Sequence, residues 1–311
     1  MLIKPKALKK GDTVGLIAPS SPTHKPGSLE LCVDALTKQG FNVVAGDSCR
    51  EKYGYLSGKD EIRATDINKM FKDKSIDAVF CQRGGYGTPR ILDMIDYKAI
   101  KRNPKLFIGY SDITAIHIAL NQRCNLATLH GPMAASDMLK DFDEFTRDSY
   151  MNAITKTEPL GILRNPPGQV IKGLVPGVAK GIITGGNLSL IAATIGTPYE
   201  INTKDKLLLL EDVGEFTYNI DRMLTQLRLS GKLKDCLGII LGDFKDCVVE
   251  YPDFGLTLEE IFNDIIVPAG KPVIYNFSAG HCSTKITVPL GVKALLDANA
   301  CTLTITESAL V

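Results

Sequence analysis

The sequence predicts an α/β fold, with a parallel sheet in its first half and a smaller mixed α/β, β-rich unit in its second. Three observations carry this expectation. Short, wholly apolar runs alternate with helix-like periodicity through residues 13–155. The stretch EPLGILRNPPGQVIKGLVPG, residues 158–177, is rich in Pro and Gly and breaks that pattern. Beyond it strands become more prominent, and KITVPLGVKALLDANACTLTITE reads as an antiparallel meander. The expected division is a first domain over 1–157, a linker over 158–177 and a second domain over 178–311.

In chain order, strands are expected at 13–18, 41–45, 76–81, 106–110 and 127–130. Helices are expected at 28–39, 60–71, 88–95, 112–122 and 143–155. Strands apolar throughout and separated by helices imply a parallel sheet covered on both faces. Ligands of such sheets bind beyond the carboxyl ends of the strands. Ser20-Ser21, Arg83-Gly84-Gly85 and Ser111 each follow a strand directly, so the pattern gathers them at one edge. In the second half, strands are expected at 181–184, 207–210, 237–241, 273–276 and 302–306, and helices at 188–195, 220–229 and 258–265.

The chain has 311 residues, a net charge of +1 and no long run of one sign, which gives no nucleic-acid or membrane-surface footprint. No apolar run approaches the length of a membrane span, and no signal peptide is read in MLIKPKALKKGDTVGLIAP. The eight cysteines stand singly with no CxxC pair, and no HExxH or EF-hand pattern occurs. Free thiols, a cytoplasmic location and no metal site are therefore the expectations.

The segment FIGYSDITAIHIAL, residues 107–120, puts Ser111 at a strand-to-helix turn. Its hydroxyl suits a helix cap, and it equally suits a nucleophile beside a helix N-terminus. A serine nucleophile needs a base, and the base needs an orienting partner. Of four histidines, His24 lies in a Pro-rich loop and His117 on the apolar side of a helix. His130 and His281, each at a strand end or turn, remain as bases. Glu211 ends the apolar strand KLLLLE and must find a partner there, with Glu215 as the competing carboxylate. Gly84-Gly85-Tyr86-Gly87 suits an oxyanion hole, a phosphate or a tight turn, and no Walker lysine follows it.

Several stretches, taken in order, resemble the LD-carboxypeptidases, serine peptidases of the S66 type that include the microcin-immunity hydrolases. They are GDTVGLIAPSSP, CQRGGYGTPRILDMIDY, FIGYSDITAIH, TLHGPM, GGNLSLIAATIGTPYEI, LLLEDVGEFTYNIDRMLTQL, GIILGDF and SAGHCSTKITVPLG. The resemblance implies a flavodoxin-like N-terminal domain carrying nucleophile Ser111, and a smaller C-terminal domain carrying Glu211 and base His281. It also implies release of the terminal D-alanine from a cytoplasmic murein tetrapeptide, no cofactor, and a homodimer. The backbone N–H groups of Gly85 and Asp112 are the expected oxyanion hole. Arg83, Arg90, Arg222 and Lys285 are the candidate cations for a substrate carboxylate, with Tyr86 as a further contact. The alternatives are a microcin-immunity-like hydrolase of peptidyl or aminoacyl nucleotides, and a non-catalytic protein that binds an anionic ligand. Cys282, directly after His281, is read as a packed residue, and residues 245–255 match no motif.

Overall fold

The structure, a computed structural model, describes residues 1–140, 142–251 and 253–311. Those residues form a six-stranded and an eight-stranded sheet. The first sheet contains β1 (Thr13–Ile17), β2 (Asn42–Ala45), β3 (Ala78–Cys81), β4 (Leu106–Gly109) and β5 (Thr128–His130). These five run parallel in the order β2-β1-β3-β4-β5. That is the flavodoxin-like order, whose switch point lies between β1 and β3. Strands β3, β4 and β5 are buried at every residue, as strands with helices on both faces must be. The covering helices include α1 (Ser28–Lys38), α2 (Asp60–Lys72), α3 (Tyr97–Arg102), α4 (Thr114–Cys124) and α5 (Glu144–Thr155). Asp143 caps α5 by accepting the Thr146 N–H at 2.9 Å.

The second sheet has a parallel centre, β8 (Val178–Asn187), β9 (Lys206–Val213), β10 (Gly238–Lys245) and β11 (Val273–Tyr275). Antiparallel strands flank it: β6 (Gly161–Leu163), β7 (Lys172–Val175), β13 (Lys293–Asp297) and β14 (Thr302–Ile305). Helices α6 (Leu188–Thr194) and α7 (Thr217–Leu229) pack on it. One apolar cluster joins Leu16, Phe80 and Ile108 of the first sheet to Ile183, Leu209 and Leu296 of the second. The two halves thus share a core, which fixes how they face each other.

Two expectations are corrected here. Residues 158–177 are not a bare linker, because β6 and β7 lie within them and close the two edges of the second sheet. Pro and Gly are compatible with short edge strands, where one side needs no ladder. The C-terminal meander is also split. Its first strand, β12 (Val288–Leu290), leaves for the first sheet and pairs antiparallel with β5. Alternation along a strand fixes which face is buried, not which sheet's free edge receives it.

Burial decides the state of one histidine. His117 in α4 is fully buried, with Nε2 against the Gly109 carbonyl at 2.8 Å, and burial pulls its pKa from 6.5 to about 4. The folded ring stays neutral where an unfolded one takes a proton. Its contribution is therefore intact above pH 6.5 and is lost as pH falls from 6.5 through 4. His130 shifts in the same direction, while buried Asp112 and Asp212, both raised by desolvation, act in the opposite one. Urea midpoints measured across this window should fall more steeply for wild type than for His117→Gln. The difference should approach about 1.4 kcal/mol per pH unit, and parallel profiles would refute the assignment.

Candidate active site

A cleft of about 410 Å³ opens where the carboxyl ends of the two parallel sheets meet. Ser111 lines it at the end of β4. Gly109 permits the turn, since a Cβ there would lie 3.0 Å from the Ile113 side chain. Tyr110 is extended, and Ser111 then takes φ 65°, left-handed backbone that a non-glycine residue adopts at a cost of about 1–2 kcal/mol. No side-chain oxygen caps the short 3₁₀ turn Ser111–Ile113 or the start of α4. The Ser111 hydroxyl is thus not a helix cap, and it stands in the cleft.

Its neighbour Asp112 points the other way. The fully buried carboxylate accepts from Ser20 Oγ at 2.6 Å and from the Thr88 N–H at 2.9 Å. One side chain so ties together the segments after β1, β3 and β4. Burial raises its pKa despite these donors. Buried Arg63 adds a second tie, donating to the carbonyls of Pro19 at 2.6 Å and Gly87 at 2.9 Å.

Gly84 is required by close approach: a Cβ on it would lie 2.8 Å from Ser111 Cβ and 3.0 Å from Oγ. The GGYG turn is therefore pressed against the serine. Among the described residues, neither the Gly85 nor the Asp112 backbone N–H donates a hydrogen bond within the protein. Gly85 lines the cleft, whereas Asp112, directly after Ser111, is fully buried.

Across the cleft stands His281, whose Nδ1 lies 2.7 Å from Glu211 Oε2. The Glu211 side chain is fully buried, and that of His281 is 15% exposed. A buried carboxylate on Nδ1–H fixes the tautomer and leaves Nε2 for the cleft. Gly280, at φ 111°, makes room for this pair, since a Cβ there would lie 2.5 Å from Glu211 Oε2. The ring of Tyr110 packs edge-on to His281 at 4.9 Å. The two competing residues lie elsewhere. His130 is wholly buried with neither ring nitrogen bonded, and Glu215 accepts from Asn219 Nδ2 at 2.7 Å.

The expected substrate cations divide sharply. Arg83 lines the cleft and donates to the Pro22 carbonyl at 3.0 Å. Lys285 also lines it, but its ammonium is buried and paired with Asp137, with Tyr110 Oη at 3.1 Å. Arg90 is outside the cleft, held by two hydrogen bonds from its Nε and Nη2 to Asp60 Oδ2 at 3.0 and 2.9 Å. Tyr86 is exposed, edge-on to Tyr55, and Arg222 is bound to Asn219, and neither lines the cleft. The sequence missed Lys245, which lines the cleft with no ion pair among the described residues. Its signal was available: a cation at the carboxyl end of the apolar strand GIILGDFK. Burial pushes the Cys282 thiol up to about 12, so it is no competing nucleophile. Among the described residues no group of three potential ligands forms a metal site, and no helix is long and apolar enough to cross a membrane.

The Lys285–Asp137 pair gives a stability prediction. Lys285→Met should lower the unfolding free energy by about 3 kcal/mol, because Asp137 is left as an uncompensated buried charge. Urea denaturation measures this, and a loss below about 1 kcal/mol would show the pair to be solvated.

The LD-carboxypeptidase N-terminal domain model matches residues 14–131, and the LD-carboxypeptidase C-terminal domain model matches residues 180–296. The chain belongs to the LD-carboxypeptidase family. It is 45% identical to the Bacillus subtilis protein named "Probable murein peptide carboxypeptidase" over 295 residues, 94% of this chain and 91% of that one. A crystal structure of muramoyltetrapeptide carboxypeptidase from Oxalobacter formigenes is 27% identical, with a TM-score of 0.81 over 94% of this chain and 97% of that one. The microcin C7 self immunity protein MccF, in its wild-type apo state, shares the fold, with a TM-score of 0.91, 24% identity and coverage of 99% and 100%. In this family member the two matched models each contribute one wall of the cleft, Ser111 from the first and the Glu211–His281 pair from the second.

Proposed function

We propose that this LD-carboxypeptidase family member is a serine peptidase that releases the terminal D-alanine from a murein tetrapeptide. The observation that carries the reading is the 2.7 Å Glu211–His281 hydrogen bond in the same cleft as the strained Ser111 turn. His281 Nε2 takes the Ser111 proton as the hydroxyl attacks the carbonyl of the L,D-peptide bond. Glu211 holds the ring and stabilises its charged form. The N–H groups of Gly85 and Asp112 receive the developing oxyanion. The protonated ring returns its proton to the leaving D-alanine amine, and water then clears the acyl-enzyme by the same base. Arg83 and Lys245 hold the terminal carboxylate. A cytoplasmic site of action and a homodimer belong to this reading through the family.

A nucleotide-conjugate hydrolase remains the runner-up within the fold. The 45% relationship to a named murein peptide carboxypeptidase favours the murein substrate over the 24% relationship to MccF. The test is release of free D-alanine from purified murein tetrapeptide by wild type and by His281→Ala. Release by wild type alone supports the reading. Wild type that releases none, yet hydrolyses an aminoacyl nucleotide, would replace it.

A further inference from the structure

The base of the cleft stands on irregular backbone. Residues 281–284 belong to no helix or strand, and among the described residues none of their backbone N–H groups donates to another residue. Such backbone does not fix the direction of an imidazole, so side chains must. Glu211 holds the Nδ1 side of the His281 ring at 2.7 Å. The ring of Tyr110 packs edge-on to it, with centroids 4.9 Å apart. Tyr110 is also the residue directly before Ser111, and it is buried. One residue thus touches the base through its ring and adjoins the nucleophile through its backbone.

Tyr110 is itself held from both halves of the chain. Its hydroxyl donates to Asp137 Oδ1 at 3.0 Å, and the Lys285 ammonium donates to the same hydroxyl oxygen at 3.1 Å. Lys285 also pairs directly with Asp137, and its ammonium lies 4.5 Å from the centre of the Tyr110 ring. Asp137 lies in the helical turn Ala134–Met138 after β5, and its other oxygen accepts the Met133 N–H at 2.8 Å. Lys285 follows His281 by four residues, and its own N–H donates to Thr146 Oγ1 of α5 at 3.0 Å. All three residues are buried, and all three line the cleft beside Ser111 and His281. A buried ion pair is a weak source of stability, since packed apolar side chains of the same volume commonly do as well. What it supplies is direction, because charge-assisted hydrogen bonds are short and oriented.

We propose that Tyr110, anchored by the Lys285–Asp137 pair, is a positioning residue that sets His281 Nε2 against the Ser111 hydroxyl. This rests on the serine-peptidase reading above. Ser111, Tyr110 and Asp137 belong to the first half of the chain, and Glu211, His281 and Lys285 to the second. The Glu211–His281 bond lies wholly within the second half and by itself leaves the distance to Ser111 unset. The Tyr110–Asp137–Lys285 network crosses between the halves. The shared core brings the two walls together, and the network fixes the finer register that proton transfer demands. Burial raises the Tyr110 hydroxyl well above the usual phenol range, so it stays a donor and takes no proton from Ser111.

The experiment measures kcat and KM for D-alanine release from murein tetrapeptide in wild type, Tyr110→Phe and Tyr110→Leu. On the same proteins it measures the rate of labelling by a fluorophosphonate, in which the Ser111 oxygen displaces fluoride. Tyr110→Phe keeps the ring against His281 and loses the anchor, and should lower kcat about tenfold. Tyr110→Leu loses the ring as well and should lower kcat about 100-fold, the order of effect of a misplaced catalytic group. KM should stay within about twofold in both, as for an interaction felt only in the transition state, and labelling should slow in parallel. Urea unfolding checks that each variant is folded. A merely structural role would leave the kcat and the labelling rate of the folded fraction unchanged, and that result overturns the proposal. A kcat that holds while KM rises overturns it too, because Tyr110 would then contact substrate. If the leucine variant does not fold, the phenylalanine variant decides alone, and wild-type kcat and labelling in it overturn the anchor. Wild type that is labelled but releases no D-alanine refutes the carboxypeptidase reading, and the labelling rates still decide the role of Tyr110. Wild type that neither releases D-alanine nor is labelled overturns both.

Discussion

Ser111→Ala is expected to lower kcat/KM for D-alanine release by about 10⁴- to 10⁶-fold, the range seen when a triad nucleophile is removed. The protein should stay folded. The Ser111 hydroxyl caps no helix, and alanine inherits the same left-handed backbone at φ 65°. Ser111→Gly separates the two aspects of this residue. It should be equally inactive and about 1 kcal/mol more stable, because glycine adopts φ 65° without the Cβ conflict. Coupled D-amino-acid oxidase assays and urea unfolding on the same preparations measure both. Turnover surviving in either variant would end the serine mechanism. A glycine variant less stable than wild type would mean that the turn is not strained.

Glu211→Gln is the second large effect, with kcat expected to fall by about 10⁴-fold and KM to change little. The amide matches the carboxylate in shape, so the space bounded by Gly242 and Gly280 stays filled. It cannot stabilise a charged imidazole as a carboxylate does, and its NH₂ group favours the wrong tautomer of His281. A loss of kcat below tenfold, in a protein with an unchanged urea midpoint, would reduce Glu211 to a packing residue. The contrast with Glu215 is informative. Glu215 is four residues away and bound to Asn219, and its alanine variant should retain kcat within a few fold.

Much of this protein is legible in one dimension because its local and global signals agree. The apolar runs at β3 and β4 are buried at every residue, as a two-sided parallel sheet requires. The ordered motifs around Ser111, Glu211 and His281 were sufficient to name a family before any contact was known. The strand-end rule also gathered Ser20, Gly84 and Ser111 correctly, since a parallel sheet aligns all its carboxyl ends. What failed was pairing. Nothing in VPL says that β12 closes the first sheet, because a free edge on another part of the chain decides it. Nothing in the Pro/Gly-rich 158–177 says that it supplies two edge strands, since propensity registers the breakers and not the partner.

The same division runs through the site. Sequence alone determined the residue types and the order in which they follow their strands, because those depend on local geometry. The residues alone left Glu215 and His130 open and the resemblance pointed to Glu211 and His281, whereas their 2.7 Å contact joins residues 70 positions apart and exists only in the tertiary structure. Only it removed Lys285 and Arg90 from the free cations and added Lys245, because a charge is neutralised by whatever partner the fold brings beside it. Residue chemistry is a local property, while availability is set by long-range packing.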